Sequence, residues 1–475
     1  AAIRHAHDAY LTTAQRALQD IGATVALQSQ LATALRGGAQ PRIARPTAPV
    51  AFSREQCYEF ARGRIANVFG PRFAAVDSYP VRVRLPDDPL MLVHRVLSID
   101  ATPAAMDRGH IVTEHDVAAG AWYLDGGRAP VCISVEAGQA DMFLASYLGV
   151  DLQVRGTRSY RLLDAEITFH RGLPQPGETI RYEITIDRFV KNGDAWLFFF
   201  RFDATIAGET LLTMRNGCAG FFTHAEIEAS GGIVLSPDDC CDEPPAPPTE
   251  RVDFVPEAPS RLDESQLDAL RRGDLAACFG PAFADLPLRD PVRLPDGRMR
   301  LVHRVIELDP RGGRFGLGLV RAEADIHPDD WFLTCHFIDD MVMPGTLMYE
   351  CCAHTLRVLL TRIGWIGEAD DIHYEPVPGL TAALKCRGPV TPETKVVTYE
   401  VEIREIGYRP EPYVVADALM YADGRPIVRF TGMSMQLSGT TRESIAELWR
   451  GAESRGARLP SSARPSATVR SVHRA

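Results

Sequence analysis

The sequence predicts an α+β protein in which one folding unit is used twice, each copy an antiparallel sheet wrapped round a long central helix. Three observations carry this reading. The chain contains an internal repeat, each copy holds one long apolar helical stretch, and each copy closes with successive strand patterns that have no helix between them.

The repeat comes first because it decides everything after it. FGPRFA at 69–74 returns as FGPAFA at 279–284, and RLPDDPLMLVHRV (84–96) returns as RLPDGRMRLVHRV (293–305), at offsets of 210 and 209. Trp122-Tyr123-Leu124 is answered by Trp331-Phe332-Leu333, and Arg171-Gly172 by Arg387-Gly388. Matching order at domain-sized spacing marks a tandem duplication and not a solenoid.

Each copy is expected to open with a short amphipathic helix (about 53–68 in the first), followed by a strand carrying LMLVHRVLSI. The long helix is expected at about 131–148 and 345–363. VCISVEAGQADMFLASYL is apolar on nearly every face, so it has to be buried on most sides. The closing strands are TIRYEITIDRF, AWLFFFRFDATI and TLLTMRNGCAGFF in copy one, and TKVVTYEVEIREI, YVVADALMYA and IVRFTGMSMQL in copy two. Strands that follow one another without crossover helices pair antiparallel.

Composition breaks set the boundaries. Residues 1–50 read as a helical linker ended by GGAQPRIARPTAP, 51–235 as the first unit and 236–262 as a linker rich in proline and acids. Residues 263–440 read as the second unit and 441–475 as a polar tail, poorly ordered at its end. The start lacks both Met and a signal pattern, which suggests a piece of a longer polypeptide.

A net charge of −11 argues against nucleic acid or an anionic membrane as partner. No apolar run approaches the ~18–20 residues of a membrane span. The ten cysteines, with Cys240-Cys241 and Cys351-Cys352 adjacent, show no Cys-x2-Cys spacing for zinc. No metal is expected, and the thiols read as the reduced cysteines of a cytoplasmic protein.

The chemistry lies in residues 331–350, WFLTCHFIDDMVMPGTLMYE. This segment resembles the active-site stretch of the hot-dog-fold β-hydroxyacyl-ACP dehydratases, where His-Phe precedes an Asp-x-Val-Met-Pro-Gly turn that opens the central helix. Met341 departs from the proline often found there. The resemblance places His336 at the catalytic histidine, Gly345 at the helix-opening glycine that donates its backbone N–H, and Glu350 at the helix acid. Dehydration needs a base for the C2 proton, an acid for the departing hydroxyl and donors for the thioester oxygen.

Copy one departs in an informative way. Pro130 and Pro344 both stand six residues before a glutamate, Glu136 and Glu350. Trp122 to Pro130 is eight residues, however, against thirteen from Trp331 to Pro344, and no histidine lies between Trp122 and Glu136. ISVEAGQA (133–140) still resembles the acid-bearing helix start. In this family two hot dogs pair side by side as a pseudo-dimer, each site taking histidine from one and acid from the other. The resemblance therefore implies one complete site, His336 and Gly345 with Glu136, and a reciprocal one in which Glu350 faces no histidine.

Over residues 53–437 the chain is most similar to the dehydratase region of polyunsaturated fatty acid synthases, which are polyketide-synthase-like megasynthases. The resemblance implies dehydration of 3-hydroxyacyl thioesters to 2-enoyl thioesters, with double-bond isomerisation left open. It further implies no cofactor beyond the phosphopantetheine arm of an acyl carrier protein that presents the substrate. Partners would be that carrier protein and other domains of the same synthase, with a homodimer of tandems left open. A hot-dog thioesterase and a non-catalytic acyl-binding or dimerisation module are the alternatives.

Other residues carry weaker signals. Glu350 with His354 four residues on fits an ordinary helical pair. Gln139 could orient Glu136 or cap the pocket. His94 and His303, His115 and His327 fit structural roles, and Met142 and Phe143 fit core.

Overall fold

The computed structural model describes residues 50–235, 251–258 and 260–456. The expected helix in 1–37, most of the proline-rich linker, Cys240, Cys241 and the end of the chain lie outside the described residues.

Copy one contributes β1 (Arg95–Asp100), β2 (Gly109–Asp116), β3 (Ser159–Phe169), β4 (Thr179–Asn192), β5 (Ala195–Ile206) and β6 (Glu209–Phe222). Copy two contributes β7 (Ser260–Leu262), β8 (Arg304–Asp309), β9 (Leu319–Asp325), β10 (His373–Glu375), β11 (Thr381–Cys386), β12 (Val396–Gly407), β13 (Tyr413–Ala422) and β14 (Arg425–Ser438). The strands run β1-β2-β4-β5-β6-β3-β11-β14-β13-β12-β9-β8-β7, with β10 on β14, and every pairing is antiparallel. This is the tandem hot-dog. The two copies' sheets meet edge to edge at β3 and β11, with Ala383 opposite Glu166. Just beyond that junction, Arg387 grips Asp164 through two bonds of 3.0 and 3.1 Å.

Alternation explains why the closing strands fold this way. In β4, Ile180, Tyr182, Ile184 and Ile186 are buried while Glu183 is exposed, so one face of the pleat meets the core. Tyr182 reaches the central helix, where its hydroxyl donates to the Ser134 carbonyl at 2.8 Å. In copy two, Val397, Tyr399, Val401 and Ile403 of β12 do the same work.

The two central helices differ more than their sequences suggest. Copy two has a single helix over Gly345–Arg362, buried along nearly all its length. Copy one, expected to match it, is interrupted: α1 (Val131–Glu136) ends at Ala137, and α2 (Asp141–Tyr147) starts after Ala140. Gly138 lies in the break, where a Cβ would meet Phe202 at 2.8 Å and Tyr182 at 2.9 Å. The backbone there is pressed against the sheet. We label the unbroken helix of copy two α3. The opening helix is likewise split at Gly63, into Arg54–Arg62 and Ile65–Phe69.

Two boundaries need correction. Ser260–Leu262, expected in the linker, is an edge strand on β8, too short to leave a pattern in the sequence. The expected polar tail begins instead with a helix, α4 (Arg442–Gly456), which buries Ile445 and Trp449. Trp449 packs edge-on against Phe283 at 5.1 Å, and its indole N–H donates to the Gly364 carbonyl at 2.9 Å. So sparse an apolar face is hidden in the sequence by the charges around it.

Among the described residues no helix is long and apolar enough to cross a membrane. Among those residues the cysteines are all free, and no described group of three or more His, Cys, Asp or Glu could hold a metal ion.

Candidate active site between the two copies

His336 follows the short helix Trp331–Cys335 and is held inside the loop that leads to α3. Its Nδ1 lies 2.8 Å from the Val342 carbonyl. A carbonyl can only accept, so Nδ1 carries the proton and the neutral ring keeps its lone pair on Nε2. Burial lowers the imidazole pKa to about 4, so the ring is neutral at ordinary pH.

Glu136, the last residue of α1 in the other copy, points at that lone pair. Its Oε1 is 3.7 Å from His336 Nε2. Its Oε2 accepts a 2.5 Å hydrogen bond from the hydroxyl of Thr346, the second residue of α3. Burial raises the carboxyl to about 7, with the Thr346 hydrogen bond opposing part of that rise. A neutral base and a carboxyl able to stay protonated thus face each other across the copy boundary.

The loop bearing His336 is fixed by copy one. Asp339 accepts from Arg84 Nε at 2.6 Å and from Arg82 Nε at 3.2 Å. Asp340 receives Arg161 of β3 through two bonds, 2.5 and 2.9 Å. These half-buried clamps hold the imidazole where α1 ends.

Gly345 opens α3, where the first N–H groups have no intrahelical acceptor and carry the positive end of the helix dipole. A Cβ there would meet only Leu162, at 3.8 Å, so the glycine faces open space. That space is a cavity of about 140 Å³ lined by His336, Glu136, Gly345, Gln139 and Tyr160. A second, smaller apolar cavity of about 60 Å³ shares Gln139, Leu162 and Gly345 with it and is lined further by Ile167, Phe169 and Phe430.

Of the residues expected at the site, His336, Glu136, Gly345 and Gln139 come together. Gln139 accepts from the Tyr160 hydroxyl at 3.4 Å. Glu350 is elsewhere, and its carboxylate is already engaged. One oxygen lies 3.3 Å from His354 Nε2 and the other accepts the Cys132 N–H at 3.1 Å. Burial alone would raise its pKa, but His354, the Cys132 N–H and Arg357 outweigh it and hold the group below the usual range. A helical pair explains Glu350. His94 and His303 accept the backbone N–H of Asp116 and Asp325 at 3.0 and 3.1 Å, equivalent structural bonds in the two copies. His115 is bonded between the Leu92 carbonyl and the Tyr123 hydroxyl.

Thr346, Tyr160, Arg161 and the two loop aspartates are the parts that residue types did not single out. Thr346 stands beside Gly345 in a segment already marked, but nothing local to it indicates a partner in the other copy.

The FabA-like domain family matches residues 85–215 and 294–431. The chain is 36% identical over 377 residues to a polyunsaturated fatty acid synthase polypeptide of Thraustochytrium sp. (strain ATCC 26185 / S-3). That match takes in 77% of this chain and 25% of the relative, so the chain spans about a quarter of that protein's length. The dehydratase domain from the CurJ module of curacin polyketide synthase superposes with a TM-score of 0.37 at 9% identity, over 72% of this chain and 96% of that one. The acyl-CoA thioesterase II TesB2 of Mycobacterium marinum gives 0.35 at 11%, over 72% and 96%. Superpositions this loose do not separate dehydratases from thioesterases. The two matched segments coincide with the two copies and cover more than half of the sequence, and the chain belongs to the FabA-like family of hot-dog domains.

Proposed function

We propose that this chain dehydrates 3-hydroxyacyl thioesters to 2-enoyl thioesters, within a larger synthase that builds polyunsaturated fatty acids or related acyl chains. The observation that carries the reading is the facing pair, His336 Nε2 and Glu136 Oε1 at 3.7 Å, one expected neutral and the other protonated.

In the reaction His336 Nε2 removes a C2 proton. Electrons move toward the thioester oxygen, which the Gly345 N–H faces as charge develops. Glu136 then gives its proton from Oε1 to the C3 hydroxyl, the C3–O bond breaks and water leaves. The imidazolium returns its proton to the Glu136 carboxylate, which resets both groups. The reaction consumes no cofactor. The flexible phosphopantetheine arm of an acyl carrier protein suits delivery to a buried site.

The test is turnover of a 3-hydroxyacyl pantetheine thioester with products identified by mass. Loss of water is expected, and His336→Ala or Glu136→Gln should each cost about 10²–10⁴-fold in rate. A free acid as product would indicate a thioesterase. Acyl-carrier binding without turnover would indicate a sheltering module. Full activity in His336→Ala would refute the assignment.

A further inference from the structure

We propose that Thr346 is a positioning residue that fixes which oxygen of Glu136 carries the acidic proton. This rests on the dehydration reading and deepens it. The Thr346 hydroxyl has one hydrogen, and at 2.5 Å it lies against Oε2. An oxygen that accepts there leaves the carboxyl's own proton on Oε1, the oxygen facing His336 and the cavity.

The helix shows why this threonine is available. Thr355 and Thr361, also on α3, donate to the carbonyls four residues back, Cys351 and Arg357, each at 2.8 Å. That is the usual helical arrangement. Thr346 is only the second residue of α3, so the residue four back, Val342, lies before the helix and its Pro344 cap. With no helical carbonyl behind it, the Thr346 hydroxyl turns to the acid of the other copy.

The reciprocal carboxyl supplies the contrast. Counting from Pro130 and Pro344, Cys132 occupies the place of Thr346, and Ala140 occupies the place of His354. Glu350 therefore accepts a backbone N–H on one oxygen and has His354 Nε2 3.3 Å from the other. Glu136 has Ala140 where Glu350 has His354, so its Oε1 stays free.

The test replaces the hydroxyl and keeps the shape. In Thr346→Val, kcat for the 3-hydroxyacyl thioester should fall about 10- to 100-fold with KM within about twofold, as expected for a misdirected acid. The Glu136 titration, followed by carboxyl infrared difference spectra with Glu136→Gln as blank, should move to higher pH, because the lost hydrogen bond favoured the charged form. Thr346→Ser should restore both, and Thr346→Ala serves if the valine variant does not fold. Unchanged kcat and titration in Thr346→Val would overturn the proposal, as would a fall in kcat with an unmoved titration or one that serine does not rescue. Wild-type protein that fails to dehydrate would instead refute the proposed function, while the titration would still report on the Thr346 hydrogen bond.

Discussion

Raising the pH from 6 to 9 separates the two protonation states on which dehydration depends. Glu136 must be protonated to donate, and burial places its pKa at about 7. His336 must be neutral to accept, and burial places its pKa at about 4. Both conditions hold between those values, so kcat/KM should form a plateau across roughly pH 5–6.5. Above it the protonated fraction of Glu136 falls to about one-tenth at pH 8 and about one-hundredth at pH 9, which sets losses of roughly 10- and 100-fold. Below pH 4 protonation of His336 gives the opposite limb. The assay is the initial rate of enoyl thioester formation in buffers of constant ionic strength, with a stability check at each pH. Glu136→Gln should leave a low rate with no basic limb near 7. Activity that rises through pH 7 to 9 would mean that Glu136 works ionised, and the assignment of acid and base would be wrong.

Three other perturbations follow. Glu350→Gln should leave kcat nearly unchanged and lower stability by about 1–3 kcal/mol, read by denaturant unfolding, because its buried partners His354 and Cys132 lose a charged acceptor; loss of turnover with intact folding would reassign the acid. Asp340→Asn should lower kcat about 10- to 100-fold with a small change in melting temperature, because the loop carrying His336 loses its charged clamp to Arg161; unaltered kcat would show that the loop is held without it. Trp449→Ala should cost about 3–5 kcal/mol, since a buried indole packed on Phe283 is removed; a cost below about 1 kcal/mol would show that α4 is not integral to the fold.

The duplication, the antiparallel strands and the segment holding His336 and Gly345 were legible because each leaves a local mark. These are a repeated string, a two-residue alternation and a dense run of chemically defined residues. Glu136 was legible only through the family's pairing. The break in the first central helix was not, because its one weak helix former, Gly138, stands among Ala137, Gln139 and Ala140 and a lone glycine costs a helix only about 1 kcal/mol. Its cause is the distant sheet face of Phe202 and Tyr182 against Gly138. Thr346 was missed for a similar reason. A threonine near a helix start suggests capping, and its actual acceptor lies 210 residues away. The difference between Glu136 and Glu350 was half visible: Ala140 against His354 can be read from the sequence, but the bond from the Cys132 backbone N–H to Glu350 cannot.

The edge-to-edge join of β3 and β11 bears on how the chain is made. β3 finishes at Phe169 and its neighbour β11 begins at Thr381, 212 positions later. At ~5–20 residues per second of synthesis, copy one waits roughly 10–40 s with that edge unpaired and Glu136 without its threonine. An eleven-residue strand left open is a template for pairing with another chain. Residues 50–235 produced alone should therefore self-associate through β3, as size-exclusion chromatography would show, and a stable monomer would mean that the nascent edge is protected in another way.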